Sequence, residues 1–185
     1  MITASEICLP VRYNVGDAGH TVYSDYEVLT ALQSSLDLLA CSCDMFFSPL
    51  LVKSAKLELT DGRAALPEDF RSVISVVSGG SRLVSNYETG PFAGEYRFEN
   101  DELVSPQSPV VLTYRYGLRR LRGIDDELDV PETLVLPLAR MTAALLKGDF
   151  QAAQAVSDEA ARAGKAQRWE NVYAPQLWGG YNPDV

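Results

Sequence analysis

The chain has 185 residues, 46% of them hydrophobic, and a net charge of −9. This length and composition predict an ordered globular protein with a sizeable core, and the acidic balance argues against a protein that grips nucleic acid over its whole surface, because phosphate contacts need Lys and Arg. The odd count of cysteines (Cys8, Cys41 and Cys43) argues against a fully paired disulfide framework, and no signal peptide or membrane-spanning stretch is visible, so we expect a soluble protein made in a cytoplasm.

Two helices are predicted in the first third of the chain. The segment TASE, residues 3–6, is a capping box and predicts a short helix over about 3–10 that stops near Pro10. The segment SDYE, residues 24–27, is a second capping box, and apolar residues at helical spacing follow it. This pattern predicts a helix over about 25–44.

The middle of the chain changes to the periodicity of strands. Residues 53–60 alternate between apolar and polar side chains, and several short apolar runs follow, separated by glycine and proline. The pattern predicts a small antiparallel β-region over about 51–116. Within it lies LPEDFRSVISV, residues 66–76, where we expect Pro67 to open a single helical turn and Phe70 to anchor the next strand on the core.

Helical spacing returns after the β-region. It predicts helices over about 131–147 and about 149–169, the second rich in alanine, which together form a helical hairpin. The predicted fold is therefore mainly α with a β insertion: a helical bundle carrying a small antiparallel β-region, in one domain over 1–173, with an extended aromatic C-terminal tail over 174–185. No large apolar stripe is expected to remain once the helices pack, so the free chain is predicted to be monomeric.

No pattern in the sequence predicts catalysis. His20 is the single histidine, and neither a nucleophile elbow nor a metal-binding or phosphate-binding motif accompanies it. The acidic run at residues 125–129 lacks the ligand spacing of a calcium loop. We therefore expect no enzyme activity, no catalytic residues, no metal site and no cofactor.

Two features point to protein contacts. Arg119, Arg120 and Arg122 lie in an otherwise acidic chain, where they either form ion pairs with the acids at 125–129 or dock on an acidic partner. Trp178 and Tyr181 lie in a tail whose glycines and prolines oppose regular structure. Such aromatic side chains either fold back on the core or anchor another chain, and we predict that the tail is mobile in the free protein and docks after assembly.

The order of these parts resembles the head-to-tail adaptor, or connector, proteins of tailed bacteriophages. The resemblance runs from about residue 1 to 168 and rests on an ordered set: the capped helix YSDYEVLTALQSSLDLL, the segment LPEDFRSVISV, the strand VVLTYRYGLRRL, and the closing hairpin VPETLVLPLARMTAALLKGDFQAAQAVSDEAA. The loop over 14–22 and the aromatic tail have no counterpart in this pattern.

The resemblance implies a structural virion protein. Such adaptors form a ring, usually of twelve copies, below the portal, extend the DNA channel without specific binding, and present a platform for tail or nozzle proteins. The expected partners are then the portal protein, tail proteins and other copies of the chain, without a membrane, and the expected location is the neck between capsid and tail, assembled in the host cytoplasm. The alternatives are a tail-completion or capsid-stabilising protein of a phage or gene transfer agent and, less favoured, a small enzyme that uses carboxylates.

Overall fold

The computed structural model describes residues 2–88 and 90–168, and within them the chain divides into two units. The helical unit consists of residues 2–51 and 118–168, and the β unit is Val52–Gly117. The β unit therefore interrupts the sequence of the helical unit as one continuous insertion.

The helical unit contains four α-helices and a pair of very short strands. A 3₁₀ turn, Glu132–Leu134, leads into the third helix. The elements are β1 (Ile2–Thr3), α1 (Ala4–Val15), α2 (Asp25–Met45), β10 (Glu127–Leu128), α3 (Val135–Leu146) and α4 (Phe150–Arg168), with β1 and β10 paired antiparallel.

Helix α1 begins at the predicted capping box but does not stop at Pro10, where the sequence predicted its end. Glu6 caps the N-terminus by accepting the backbone N–H of Thr3. Proline removes one helical hydrogen bond, yet the helix continues because its next turn buries Val11 completely. It ends at Gly16, whose φ of 75° is the left-handed conformation that glycine adopts without strain.

Helices α2, α3 and α4 pack together around the apolar stripes that the sequence predicted. The fully buried side chains include Leu36, Leu39 and Leu138, and burial of each contributes about 1.5–3 kcal/mol. Between α2 and α3, the hydroxyl groups of Ser35 and Thr142 lie 3.0 Å apart in this core and satisfy each other. Burying them without a partner would cost free energy.

The loop between α1 and α2 is held by one buried carboxylate. Asp17 accepts the backbone N–H groups of Thr21, Val22 and Tyr23, and Arg12 of α1 donates to it at 2.7 Å. Burial alone would raise the pKa of Asp17, but these donors outweigh it and lower that pKa to about 2. The network fixes the residues that lead into α2.

The β unit consists of two four-stranded sheets. Its strands are β2 (Val52–Leu57), β3 (Arg63–Ala65), β4 (Phe70–Ser78), β5 (Ser81–Arg82), β6 (Val84–Ser85), β7 (Glu95–Glu99), β8 (Glu102–Val104) and β9 (Val110–Tyr116). One sheet has the order β2-β9-β4-β5 and the other β3-β8-β7-β6. All pairs are antiparallel except β6 with β7.

The segment LPEDF forms the turn that starts the longest strand. The backbone N–H of Phe70 donates to the carbonyl of Pro67 at 2.9 Å, which closes a single turn before β4. The ring of Phe70 contacts Phe98 of the other sheet and Tyr114 of its own sheet, at centroid distances of 5.5 and 5.7 Å. Phe70 is half-buried rather than fully buried, so it joins the two sheets at the border of the core.

The predicted fold class, a mainly α helical bundle, is wrong. The protein is mixed α and β, because the inserted region builds two sheets and forms a unit of its own. The error has a physical source. Most of the strands have two to five residues, which is too short for a clear alternation, and β4 carries two irregularities of register that interrupt its pattern.

Candidate interaction surface

The helical unit carries an open, mainly apolar groove of about 680 Å³ along α2. One wall is the outward face of α2, and the other is formed by the end of α3 and the start of α4. The lining residues include Tyr26, Ala31, Leu38, Cys41, Leu146 and Phe150. Tyr26 and Phe150 are 79% and 60% exposed, so this surface leaves large aromatic rings in water.

Local structure explains why the groove is apolar although α2 carries polar residues there. The hydroxyl of Thr30 donates to the carbonyl of Tyr26, and Ser34 donates to the carbonyl of Thr30. Their hydrogens are therefore used within the helix. Gly148, with a φ of 75°, ends α3 and lets the chain turn, which places Phe150 at the rim.

The polar groups at the edge of the groove are carboxylates. Glu27 belongs to the capping box of α2, where the hydroxyl and N–H of Ser24 donate to it and lower its pKa. Asp37 accepts a hydrogen bond from Gln33 at 3.2 Å. Both carboxylates are exposed, so the groove favours an apolar occupant with donor groups at its edge.

The basic segment, residues 118–122, lies against α2 at Gln33. The backbone N–H of Leu121 donates to the side chain of Gln33 at 2.9 Å, which ties the segment to the helix. Arg119, Arg120 and Arg122 are exposed. The helical unit thus presents cations and an apolar groove along one helix.

The ion pairs between Arg119, Arg120 or Arg122 and the acids at 125–129, one of the two interpretations of the sequence, are not formed among the described residues. Asp126 instead accepts the backbone N–H groups of Arg122 and Gly123. These bonds lower the pKa of Asp126, with a further contribution from the nearby positive charges. Within the described part of the chain, no ion pair within 4 Å involves the guanidinium groups of Arg119, Arg120 or Arg122.

Ionisable side chains of the β unit meet around Asp69 of the LPEDF turn, apart from the ion pairs of Arg63 and Arg97 with Glu99 and Glu102. Lys53 donates to Asp69 at 2.7 Å, and the hydroxyl of Tyr114 donates at 2.9 Å. Burial opposes ionisation of Asp69, but the two donors outweigh it and lower the pKa. Lys53 also lies 4.2 Å from the centre of the Tyr116 ring. Lys53 lies on β2 and Tyr114 on β9, so their hydrogen bonds to Asp69 hold the turn against both strands.

The structure describes one of the two groups of residues that the sequence predicted to contact a partner. The three arginines lie together beside α2, whereas Trp178 and Tyr181 lie outside the described residues. Sequence reasoning missed the groove, and the expectation that the packed helices leave no apolar stripe was wrong. Tyr26 and Phe150 were the available signal, since both interrupt otherwise polar helix faces.

Two further findings concern the residues that the structure describes. No helix there is both long and apolar enough to cross a membrane. Nor does any cluster of three or more histidine, cysteine or acidic side chains in this part of the chain have the arrangement to hold a metal ion. In comparisons with known proteins, no family model and no curated protein matches the chain.

Proposed function

We propose that this chain is a head-to-tail adaptor of a tailed bacteriophage, a structural protein that forms a ring below the portal and offers a platform to tail proteins. The observation that carries the proposal is the surface of the helical unit, where an apolar groove and a segment with three exposed arginines both lie along α2. Apolar and aromatic groups at the centre of a patch with charges at its rim are typical of protein interfaces.

The arrangement of the chain supports the same function. The capped helix α2, the LPEDF turn, the strand β9 and the α3–α4 hairpin carry the four segments on which the resemblance to phage adaptors rests. The net charge of −9 suits a protein beside a DNA channel, because like charge repels the phosphate backbone and lets DNA pass without binding. The local arginines are then available for an acidic protein partner.

A binding assay with the portal protein of the same virus tests the proposal. Capsids that bear the portal should retain the full-length chain, whereas capsids without the portal should not. A chain that ends at Tyr173 should fold normally and bind the portal-bearing capsids poorly, because it lacks the aromatic residues of the tail. Equal retention by both kinds of capsid would instead favour a capsid-stabilising protein, the alternative of the same class.

A further inference from the structure

The groove along α2 has the lining of a site for aromatic side chains. Its floor is formed by small and aliphatic residues, Ala31 and Leu38, and exposed aromatic rings stand at its walls. The carboxylates of Glu27 and Asp37 lie at its edge and can accept hydrogen bonds. Tryptophan and tyrosine have the matching chemistry, since each combines a rigid apolar ring with one polar donor.

The direction of α4 determines where the chain goes after the described residues. Ser42 of α2 contacts Asp158 of α4, and Phe46, one turn further along α2, contacts Arg162, one turn further along α4. The two helices therefore run parallel. Phe150 lies at the groove, and the 18 residues from there to Arg168 carry the chain about 27 Å away from it.

The remaining sequence holds suitable aromatic residues at a suitable distance. Trp178 follows Arg168 by ten residues and Tyr181 by thirteen, with Gly179 and Gly180 between them. Ten extended residues span at most about 33–36 Å, a length that reaches either the chain's own groove or that of a neighbour. The direction of α4, which points away from its own groove, favours the neighbour. A neighbouring molecule placed along that direction is reached without reversal of the chain.

We propose that the α2 groove of each copy receives residues 178–181 from the tail of the adjacent copy, with the ring of Trp178 inside the groove. This inference rests on the proposed ring of adaptors and identifies the contact that links its subunits. Such a contact joins two different surfaces, so it is head-to-tail and closes into a ring when the rotation allows it. The paired glycines let the backbone approach the α2 surface closely.

Cys41 provides a built-in probe because it lines the groove and is exposed, whereas Cys8 and Cys43 are buried. Burial also raises the pKa of the Cys8 thiol to about 11, which suppresses its reactivity. The Leu177→Cys variant of the full-length chain keeps the ring of Trp178. Oxidised gently at high protein concentration, it should form a ladder of disulfide-linked oligomers on a non-reducing gel. Adding Cys41→Ser should abolish the ladder. Trp169→Cys is the matched control, since it lies one residue after Arg168, and it should give less than a tenth of the cross-linked product.

Each alternative result has a defined meaning. A fast-migrating monomer with an internal disulfide would overturn the inference, because it places the tail in its own groove. Cross-linking no greater than that of Trp169→Cys would also overturn it, because the groove then holds something else. If the ladder forms but the wild-type chain does not bind the portal, the inference stands and the adaptor function fails. If the portal binds while Cys41 keeps its full reactivity towards a thiol reagent, the function stands and the inference fails.

Discussion

The Phe70→Ala substitution tests the role of the LPEDF turn in the β unit. Truncation of a fully buried phenylalanine costs about 3–5 kcal/mol. Phe70 is half-buried, but it keeps ring contacts with Phe98 and Tyr114 across and within the sheets. We therefore expect the substitution to lower the free energy of unfolding by about 2 kcal/mol, roughly half the cost at a fully buried site.

Urea denaturation followed by circular dichroism measures this effect. With a slope of about 1–3 kcal/mol per molar urea, the midpoint of the β-unit transition should fall by about 1 M. Phe92→Ala is the matched control in the same unit, because Phe92 is 64% exposed and its loss should change stability by less than about 0.5 kcal/mol. If Phe70→Ala unfolds like the wild type but fails to assemble, Phe70 is an interface anchor and the structural interpretation is wrong.

Substitutions at Tyr114, Asp17 and the basic segment test three more features of the structure. Tyr114→Phe removes the hydroxyl that donates to Asp69 and should lower the free energy of unfolding in urea by about 1 kcal/mol; an unchanged midpoint would contradict this role. Asp17 has a folded-state pKa of about 2 against an ordinary 3.8, so its stabilising contribution is present above pH 3.8 and is lost as the pH falls towards 2. Asp17→Asn should lower the melting temperature at neutral pH, and the melting temperature of the variant should decrease less than that of the wild type between pH 3.8 and 2. An equal decrease in both proteins would contradict the role of Asp17. Replacing all three arginines of the basic segment by glutamate should leave the melting temperature within about 2 °C, as expected for exposed positions, and reduce retention on portal-bearing capsids at least tenfold, whereas undiminished retention would exclude the segment from the interface.

The helices could be predicted from the sequence because their signals are local. Ser24 and Glu27 form a reciprocal cap whose two partners are three residues apart, and the buried leucines of α2 repeat at helical spacing. Helix α1 was predicted too short because the local effect of Pro10 is outweighed by the burial of Val11 in tertiary packing. Packing of this kind depends on residues far along the chain.

For the same reason, the sheets could be predicted only in part and the groove could not be predicted at all. Strand β9 pairs with both β2 and β4, and neither partner is adjacent to it in sequence. The groove depends on Phe150 of α4 meeting the outward face of α2, which no short sequence window contains. The arginines were recognisable as a cluster, but only the structure shows that Gln33 ties their segment to α2.

Electron microscopy of the purified full-length protein mixed with the portal of the same virus tests the central claim most directly. We expect closed rings of this chain stacked coaxially on the portal, with a subunit number that matches the portal. A parallel sample without the portal shows whether ring formation depends on it. A stable closed dimer that is unchanged by the portal, with portal particles that carry no added ring, would contradict the adaptor function.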